Sequence, residues 1–327
     1  MRIAVTGSIA TDHLMTFPGW FSEQLLADRL DRVSLSFLAD NLEVRRGGVA
    51  ANIAFGLGVL GLRPALVGAV GADFEPYRVW LKDHGVDTDS VRVSESLHTA
   101  RFVCTTDRAQ NQIATFYAGA MAEAREIDLR EVVARTGRLE LVLVSPDDPE
   151  AMLRHTRTCR DLGIPFAADP SQQLARLDGA EVRELVDGAR FLFTNEYETA
   201  LLLEKSGWPE AEVLRRVGTW VTTHGEAGVR VRGEDRDPLS VPAVQVPAVV
   251  DPTGVGDAFR SGFLAGTLWG VPERCAAQLG CAVAATVLDY VGTQEYRLHR
   301  DSLLDRIRTT YGVGCTATLV THLRGLT

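Results

Sequence analysis

From about residue 139 the chain alternates short, unbroken apolar runs with stretches of helical period. Leu139–Ser145 precedes Pro149–Leu162, Phe166–Asp169 precedes Gly179–Val186, and Phe191–Thr194 precedes a helical run from Asn195 to Leu203. Thr219–Thr223 is another such strand. A strand that is apolar at every position leaves no side for water. It must be covered on both faces, and the helices between successive strands supply that cover. The rhythm predicts an α/β fold with a mainly parallel central sheet flanked by helices on both faces. Ile3–Gly7 and Ala65–Val70 read as strands of the same sheet, with the small-residue helix Gly48–Leu60 between them. Asp73 is placed to cap the helix that carries Tyr77, Trp80 and Leu81. Two β pieces are expected at 228–232 and 239–246, and 242–250 reads as a buried or edge β segment punctuated by Pro. Val255–Trp269, Pro272–Leu288 and a helical tail close the chain.

Three β-rich stretches break this rhythm. They are residues 8–17, the pair Val33–Phe37 and Leu42–Arg45, and the hairpin Arg101–Thr106 with Gln112–Tyr117. They predict a small β-sheet lid, drawn from residues 8–46 and 97–117, on a single domain spanning 1–327.

Composition narrows the function classes. The chain has 327 residues, 34 basic and 43 acidic, for a net charge of −9. General nucleic-acid binding needs a basic surface and is disfavoured. No apolar run approaches the ~18 residues of a membrane helix, so no membrane partner is expected. The N-terminus reads as a first strand rather than a signal peptide. Lysine occurs only as Lys82 and Lys205, neither in a Gly-rich loop, so a Lys-bearing phosphate loop is absent. The five cysteines are odd in number and show no C-x-x-C; they read as free thiols of a reducing cytosol, without zinc. Gly56-Leu-Gly-Val-Leu-Gly61 matches a dinucleotide fingerprint, but it ends a helix and precedes a strand. That reverses the required order, so these glycines read as close helix–sheet packing.

The sharpest segment is Asp251-Pro-Thr-Gly-Val-Gly-Asp-Ala-Phe259, opening an apolar helix. Gly254 and Gly256 let the backbone turn its N–H groups toward one point, and the helix adds the positive end of its dipole. This binds an anion without a lysine. Asp257, in the first helical turn, is placed to take a proton from a hydroxyl attacking phosphorus.

This segment resembles the C-terminal signature of the ribokinase-like (PfkB) family of carbohydrate and nucleoside kinases. Arg46-Gly-Gly-Val-Ala-Ala-Asn-Ile-Ala54 resembles the family's N-terminal signature. The resemblance implies ATP-dependent phosphorylation of a primary hydroxyl. Asp257 would be the base, with the N–H groups of Gly254, Val255, Gly256 and Asp257 around the transferring group. Asn195-Glu-Tyr-Glu198 resembles the family motif that organises Mg²⁺ and phosphates, largely through water; Asn195 is also a simple helix cap. Thr223-His-Gly225-Glu-Ala-Gly228 resembles the nucleotide turn, which with Thr253 faces ATP, although a hairpin needs similar residues. Asp251, Thr253 and Gly292 fall where such kinases hold K⁺.

The stretches TGSIATDHL, VSLSFL, RGGVAANIAF, HTARF, ADPSQQLARL and FTNEYE resemble actinobacterial adenosine kinases. That implies transfer of the γ-phosphoryl group of ATP to the 5′-hydroxyl of adenosine. The residues suit a nucleoside. Asp12 can accept two vicinal ribose hydroxyls, and Gly48 and Asn52 start a helix beside it. Phe102 and Phe116, on the two hairpin arms, can sandwich a purine, although aromatics also favour strands for their own sake. Gln172 and Gln173 offer amides to a purine edge, and Ser8 and Ser36 offer hydroxyls. Two alternatives stand beside this: a kinase for another nucleoside or a free sugar (ribose, fructose), and a non-catalytic nucleoside sensor. Family lids often pair across a homodimer, and an exposed sheet edge gives a motive for that.

Overall fold

The computed structural model describes residues 2–24 and 34–326. The first half runs β1 (Ile3–Thr6), β2 (Ala10–Thr16), α1 (Phe21–Gln24), β3 (Asn41–Gly47), α2 (Val49–Val59), β4 (Ala65–Val67), β5 (Ala69–Val70), α3 (Glu75–Asp83), β6 (Arg92–Val93), β7 (Ala100–Thr106), β8 (Gln112–Tyr117), α4 (Leu129–Thr136), β9 (Leu141–Val144) and α5 (Pro149–Asp161). The second half runs β10 (Phe166–Ala168), α6 (Gly179–Val186), β11 (Phe191–Asn195), α7 (Glu196–Ser206), α8 (Glu210–Arg216), β12 (Thr219–Thr223), β13 (Val229–Gly233), β14 (Arg236–Val241), α9 (Val255–Leu268), α10 (Glu273–Val287), α11 (Arg300–Tyr311) and α12 (Thr316–His322).

The main sheet has the order β14-β13-β12-β11-β10-β9-β1-β4. Its strands are parallel from β4 to β12, and the β13–β14 hairpin adds an antiparallel edge. Successive side chains of a strand face opposite ways. Ile3, Val5, Leu141, Leu143, Phe191 and Phe193 therefore enter one apolar layer, with α2, α9 and α10. Ala4, Val142, Val144, Phe166 and Leu192 enter the other, with α5, α6 and α7. The chain needs apolar residues at both parities, which is why its strands read as unbroken runs. Because these strands are parallel, their carboxyl ends share one edge, where an open α/β sheet binds its ligands.

A second sheet has the order β3-β2-β7-β8. Its register sets Arg45, Asp12, Phe102 and Phe116 side by side in one row.

Several expectations are corrected. Residues 34–39 carry no regular structure, so Val33–Phe37 is not a strand; Val33 and the rest of 25–33 lie outside the described residues. The run Ala65–Val70 breaks at Gly68, where a Cβ would stand 2.6 Å from the Gly7 carbonyl oxygen. Its second half pairs with β6 instead of the main sheet. Asp73 does not cap α3. Its carboxylate accepts from Thr99 N at 2.9 Å, Thr99 Oγ1 at 2.7 Å and Arg101 at 2.7 Å, tying the second sheet's root to the domain. The last β piece lies at Arg236–Val241, and the expected β segment at 242–250 is irregular. Helices α4 and α8 were not anticipated. Gly56 and Gly58 face α9 and a turn, not the sheet: a Cβ would stand 2.4 Å from Ser261 Oγ and 2.1 Å from the His84 carbonyl oxygen. Cys275 and Cys315 are joined in a disulfide, contrary to the free-thiol expectation; Cys104, Cys159 and Cys281 are free and buried. Among the described residues no helix is long and apolar enough to cross a membrane.

Candidate active site

The loop 251–254 delivers the chain into α9. Gly254 precedes it with φ of +77°, and a Cβ there would stand 2.8 Å from Thr293. Gly256 and Asp257 fall in the first turn, where backbone N–H groups lack helical acceptors. Among the described residues neither N–H has a protein acceptor. Two free donors and the helix dipole converge there, a ready anion site.

Asp257 is half-buried in this turn. Burial pushes its pKa up from 3.8 to about 6, against the lowering effects of Arg260 and of a hydrogen bond from Asn52. Asn52 Nδ2 donates to Asp257 Oδ2 at 2.9 Å. The Asn52 amide is itself fixed. Its Oδ1 accepts from Thr293 Oγ1 at 2.8 Å and from Gln294 Nε2 at 2.9 Å. Gln294 Nε2 also donates to the Tyr77 hydroxyl, which donates to the Gly47 carbonyl at 3.0 Å. Sequence reasoning offered Asn52 to a substrate sugar. The structure gives its amide to the carboxylate expected to act as base.

Ser8 lies at the end of β1, buried, and its Oγ accepts from Val49 N at 3.0 Å at the start of α2. Gly48 approaches the same bend with φ of +94°; a Cβ would stand 2.6 Å from the Ser8 carbonyl oxygen. Asp12 is half-buried, and burial raises its pKa to about 6 while Arg45 opposes the rise. A Cβ on Gly47 would stand 2.9 Å from Asp12 Oδ2, so glycine there leaves the carboxylate its space. Phe102 is half-buried and Phe116 is 51% exposed, directly opposite each other across β7 and β8.

Gln173 is buried and its Oε1 has no partner, whereas Gln172 is exposed and accepts from Ser171 Oγ at 2.7 Å. Ser36 is exposed on the irregular segment and joins none of these contacts. Asn195 and Glu198 form a capping box: Asn195 Oδ1 accepts from Glu198 N at 2.8 Å, and Glu198 Oε2 from Asn195 N at 2.7 Å. The helix-cap reading of Asn195 is therefore realised. Thr223 ends β12, and Gly225 and Gly228, at φ of +54° and +100°, turn the chain into β13. Thr253 is exposed, on the rim of the loop.

Glu198 keeps Oε1 free of protein hydrogen bonds among the described residues. One carboxylate with an open oxygen fits Mg²⁺, which retains most of its water. No group of three or more His, Cys, Asp or Glu able to hold a metal occurs among the described residues. The K⁺ expectation fares differently. Asp251 accepts from Thr253 N and Gly292 N, both at 2.9 Å, and the Arg45 guanidinium stands 3.6 Å from its Oδ2. The carboxylate already faces two donors and a cation.

Sequence reasoning missed Tyr77, Thr293, Gln294, Asp169 and Arg260. Arg260 Nη2 donates to Asp169 Oδ1 at 2.6 Å, both groups buried. An arginine inside the apolar run Ala258–Leu264, and an acid directly after the apolar strand Phe166–Ala168, were the available signals.

An open parallel sheet, an anion-binding helix start and a carboxylate poised near neutral pH define a ribokinase-like phosphotransferase fold. The description of the pfkB family of carbohydrate kinases matches residues 10–299, and the chain belongs to that family. The nucleoside kinase of Burkholderia thailandensis, solved without ligand, is 35% identical; the match covers 94% of this chain and 100% of that one, with a TM-score of 0.84. The same protein has been solved with inosine and with ADP and inosine. The nucleoside kinase of Methanothermobacter thermautotrophicus is 32% identical over 76% of this chain and 80% of its own length. That of Methanocaldococcus jannaschii is 25% identical, covers 94% and 98%, and has a TM-score of 0.83.

Proposed function

We propose that this chain is an ATP-dependent nucleoside kinase that phosphorylates the 5′-hydroxyl of adenosine to give AMP. The observation that carries the reading is Asp257, held by Asn52 in the first turn of a helix where the N–H groups of Gly256 and Asp257 are free. Asp12 binds the ribose hydroxyls, with Ser8 and Gly48 beside it. Phe102 and Phe116, in the same row, stack on the base. Gln173, with a buried and unpartnered Oε1, suits the amino group of adenine; the exposed Gln172 and Ser36 would reach the nucleoside only as the lid closes. Thr223, Gly225, Gly228 and Thr253 face the nucleotide.

Asp257 takes the 5′-hydroxyl proton as that oxygen bonds to the γ-phosphorus. The bond from phosphorus to the bridging oxygen breaks, and ADP leaves. The N–H groups of Gly254, Val255, Gly256 and Asp257 carry the charge on the transferring group. Asn195 and Glu198 hold Mg²⁺ largely through water, and the ion supplies neutralising charge to the phosphates. The second sheet is a lid on a single domain, and its closure excludes water. Its face opposite Asp12 exposes Leu42, Val44, Ile113 and Tyr117. This face supports a homodimer through the lid, and a monomer in light scattering at micromolar concentration would rule it out.

A second reading, inosine as the acceptor, draws on the relative solved with inosine. The test is ADP release with ATP and Mg²⁺ against adenosine, inosine, guanosine, ribose and fructose. Adenosine should turn over best, and Asp257→Asn should abolish turnover. Phe102→Ala should raise the nucleoside KM about tenfold, the loss of ~1–3 kcal/mol of stacking. Turnover on a free sugar would keep the base and sink the purine reading. No turnover with any acceptor would sink the kinase reading.

A further inference from the structure

The proposed chemistry leaves one buried pair of charges without a task. Arg260 sits one turn beyond Asp257 in α9, and Asp169 directly follows β10. Both are buried, and the Asp169 side chain is wholly inaccessible. Arg260 Nη2 holds Asp169 Oδ1 at 2.6 Å. Arg260 Nη1 lies 2.8 Å from where a Cβ on Gly256 would be. The guanidinium thus lies against the glycine at the centre of the anion-binding turn.

Both lysines are committed elsewhere. Lys205 bonds the Ala175 and Leu177 carbonyls, and Lys82 pairs with Asp89. Three carboxylates, Asp257, Asp169 and Glu198, interact with Arg260, and they repel one another. An arginine cannot escape such a site by losing its proton.

We propose that Arg260, anchored by Asp169, is a positioning residue for the phosphoryl transfer: it backs the Gly256 peptide and supplies the fixed positive charge beside which Asp257 works as base. The inference rests on the kinase reading above. A structural ion pair alone would explain the burial equally well, because breaking a buried pair is costly whatever it does. The two roles separate by sign. Arg260→Met and Asp169→Asn both abolish the ion pair, so a structural role moves both variants alike. An electrostatic role moves them oppositely. Arg260→Met removes a positive charge beside Asp257 and makes its carboxylate harder to form. Asp169→Asn removes a negative one and makes it easier.

The groups facing Asp257 are otherwise unchanged in both variants. They are Glu198 from α7, the Asn52 amide from α2, and the phenols of Tyr77 and Tyr296, which burial keeps neutral.

The experiment is the pH dependence of kcat/KM for wild type, Arg260→Met, Arg260→Lys and Asp169→Asn. In parallel, ¹³C-carboxyl NMR titration of Asp257 uses Asp257→Asn for assignment. Wild type should show an acid limb near pH 6, the value to which burial raises Asp257. Arg260→Met should move the limb up by about one pH unit, an about eightfold loss at pH 5.5. Asp169→Asn should move it down by about one unit, an about threefold gain there. Arg260→Lys should restore much of the wild-type limb. Limbs that stay put, or that move the same way in both variants, would overturn the proposal. If Arg260→Met does not fold, Asp169→Asn and Arg260→Lys still carry the sign. If wild type turns over no acceptor, the kinase reading fails, while the NMR midpoints still decide whether Arg260 tunes Asp257.

Discussion

Replacing Asn52 with Leu tests what that side chain is for. Leu branches at Cγ as Asn does and carries bulkier end groups, so it opens no room for a rescuing water, and it has no donor. Asp257 Oδ2 then loses the hydrogen bond it receives at 2.9 Å. The two groups that hold the Asn52 amide are not orphaned. Thr293 Oγ1 keeps the Arg46 carbonyl at 3.0 Å, and Gln294 Nε2 keeps the Tyr77 hydroxyl. The main cost therefore falls on the carboxylate. A hydrogen bond to a charged acceptor is worth ~1.5–3 kcal/mol, which corresponds to a rise of about one to two pKa units. Asp257 begins at about 6. A base must be deprotonated, so a higher pKa moves the acid limb of kcat/KM upward. At pH 6.5 the variant should lose roughly 4- to 40-fold, and at pH 9 less than about twofold. Initial rates with saturating ATP, run from pH 5.5 to 9, make the comparison. A loss that is the same at every pH, with the limb still near 6 and the nucleoside KM raised, would refute this reasoning. It would return Asn52 to the sugar.

Asp257→Asn should stabilise the protein. The folded pKa of about 6 lies above the ordinary 3.8, so stability is full below 3.8 and falls as pH rises through 6. Discounting for the half-exposed group, the variant should gain ~1–2 kcal/mol in urea unfolding at pH 7.5 and nothing at pH 4; an equal change at both would contradict this. Gly48→Ala forces a left-handed φ of +94° and sets a Cβ 2.6 Å from Ser8 O and 2.7 Å from Ala10 N. Neither backbone atom can yield, so unfolding should show a loss of ~2–4 kcal/mol, and one under ~0.5 would show that the bend relaxes. The Cys275–Cys315 bond spans a separation of 40 residues. On chain entropy its loss should cost ~4 kcal/mol, read as a lower urea midpoint for Cys275→Ser or in reductant. An unmoved midpoint would mean that the bond adds nothing.

The fold was legible because burial on both faces leaves an unmistakable mark. Runs such as Leu141–Val144 and Phe191–Thr194 are apolar at every position, and no half-exposed strand reads that way. The anion-binding turn was legible for a related reason: two glycines within three positions at a helix start have few structural uses. The errors arose where the decisive partner is distant in sequence. Asp73 has the composition of a cap, yet Thr99 and Arg101 claim it. Cys275 and Cys315 show no motif because the fold, not the spacing, brings them together. Asn52 was found, but its tie to Asp257 was not, because it depends on Thr293 and Gln294, which turn its amide that way from far along the chain. Local pattern identifies residues with a strong chemical preference. It does not say which of several suitable partners the fold will deliver.

The charge balance of the site follows from the same folding constraints. A sheet buried on both faces ends in a dry edge, and a carboxylate placed there is costly to ionise. Burial, with neighbouring carboxylates adding to it, raises Asp257 to about 6 and lifts Asp169 as well, against the pull of Arg260, before any substrate is present. A lysine at the turn would offset that cost but could shed its proton as the site dried. Backbone N–H groups and an arginine cannot. Their positive charge is fixed at every accessible pH, and it costs no reorganisation when an anion arrives. A chain with two lysines and a Gly-rich helix start can therefore place its base and its anion site within one helical turn, because the groups that balance the carboxylate cannot titrate with it.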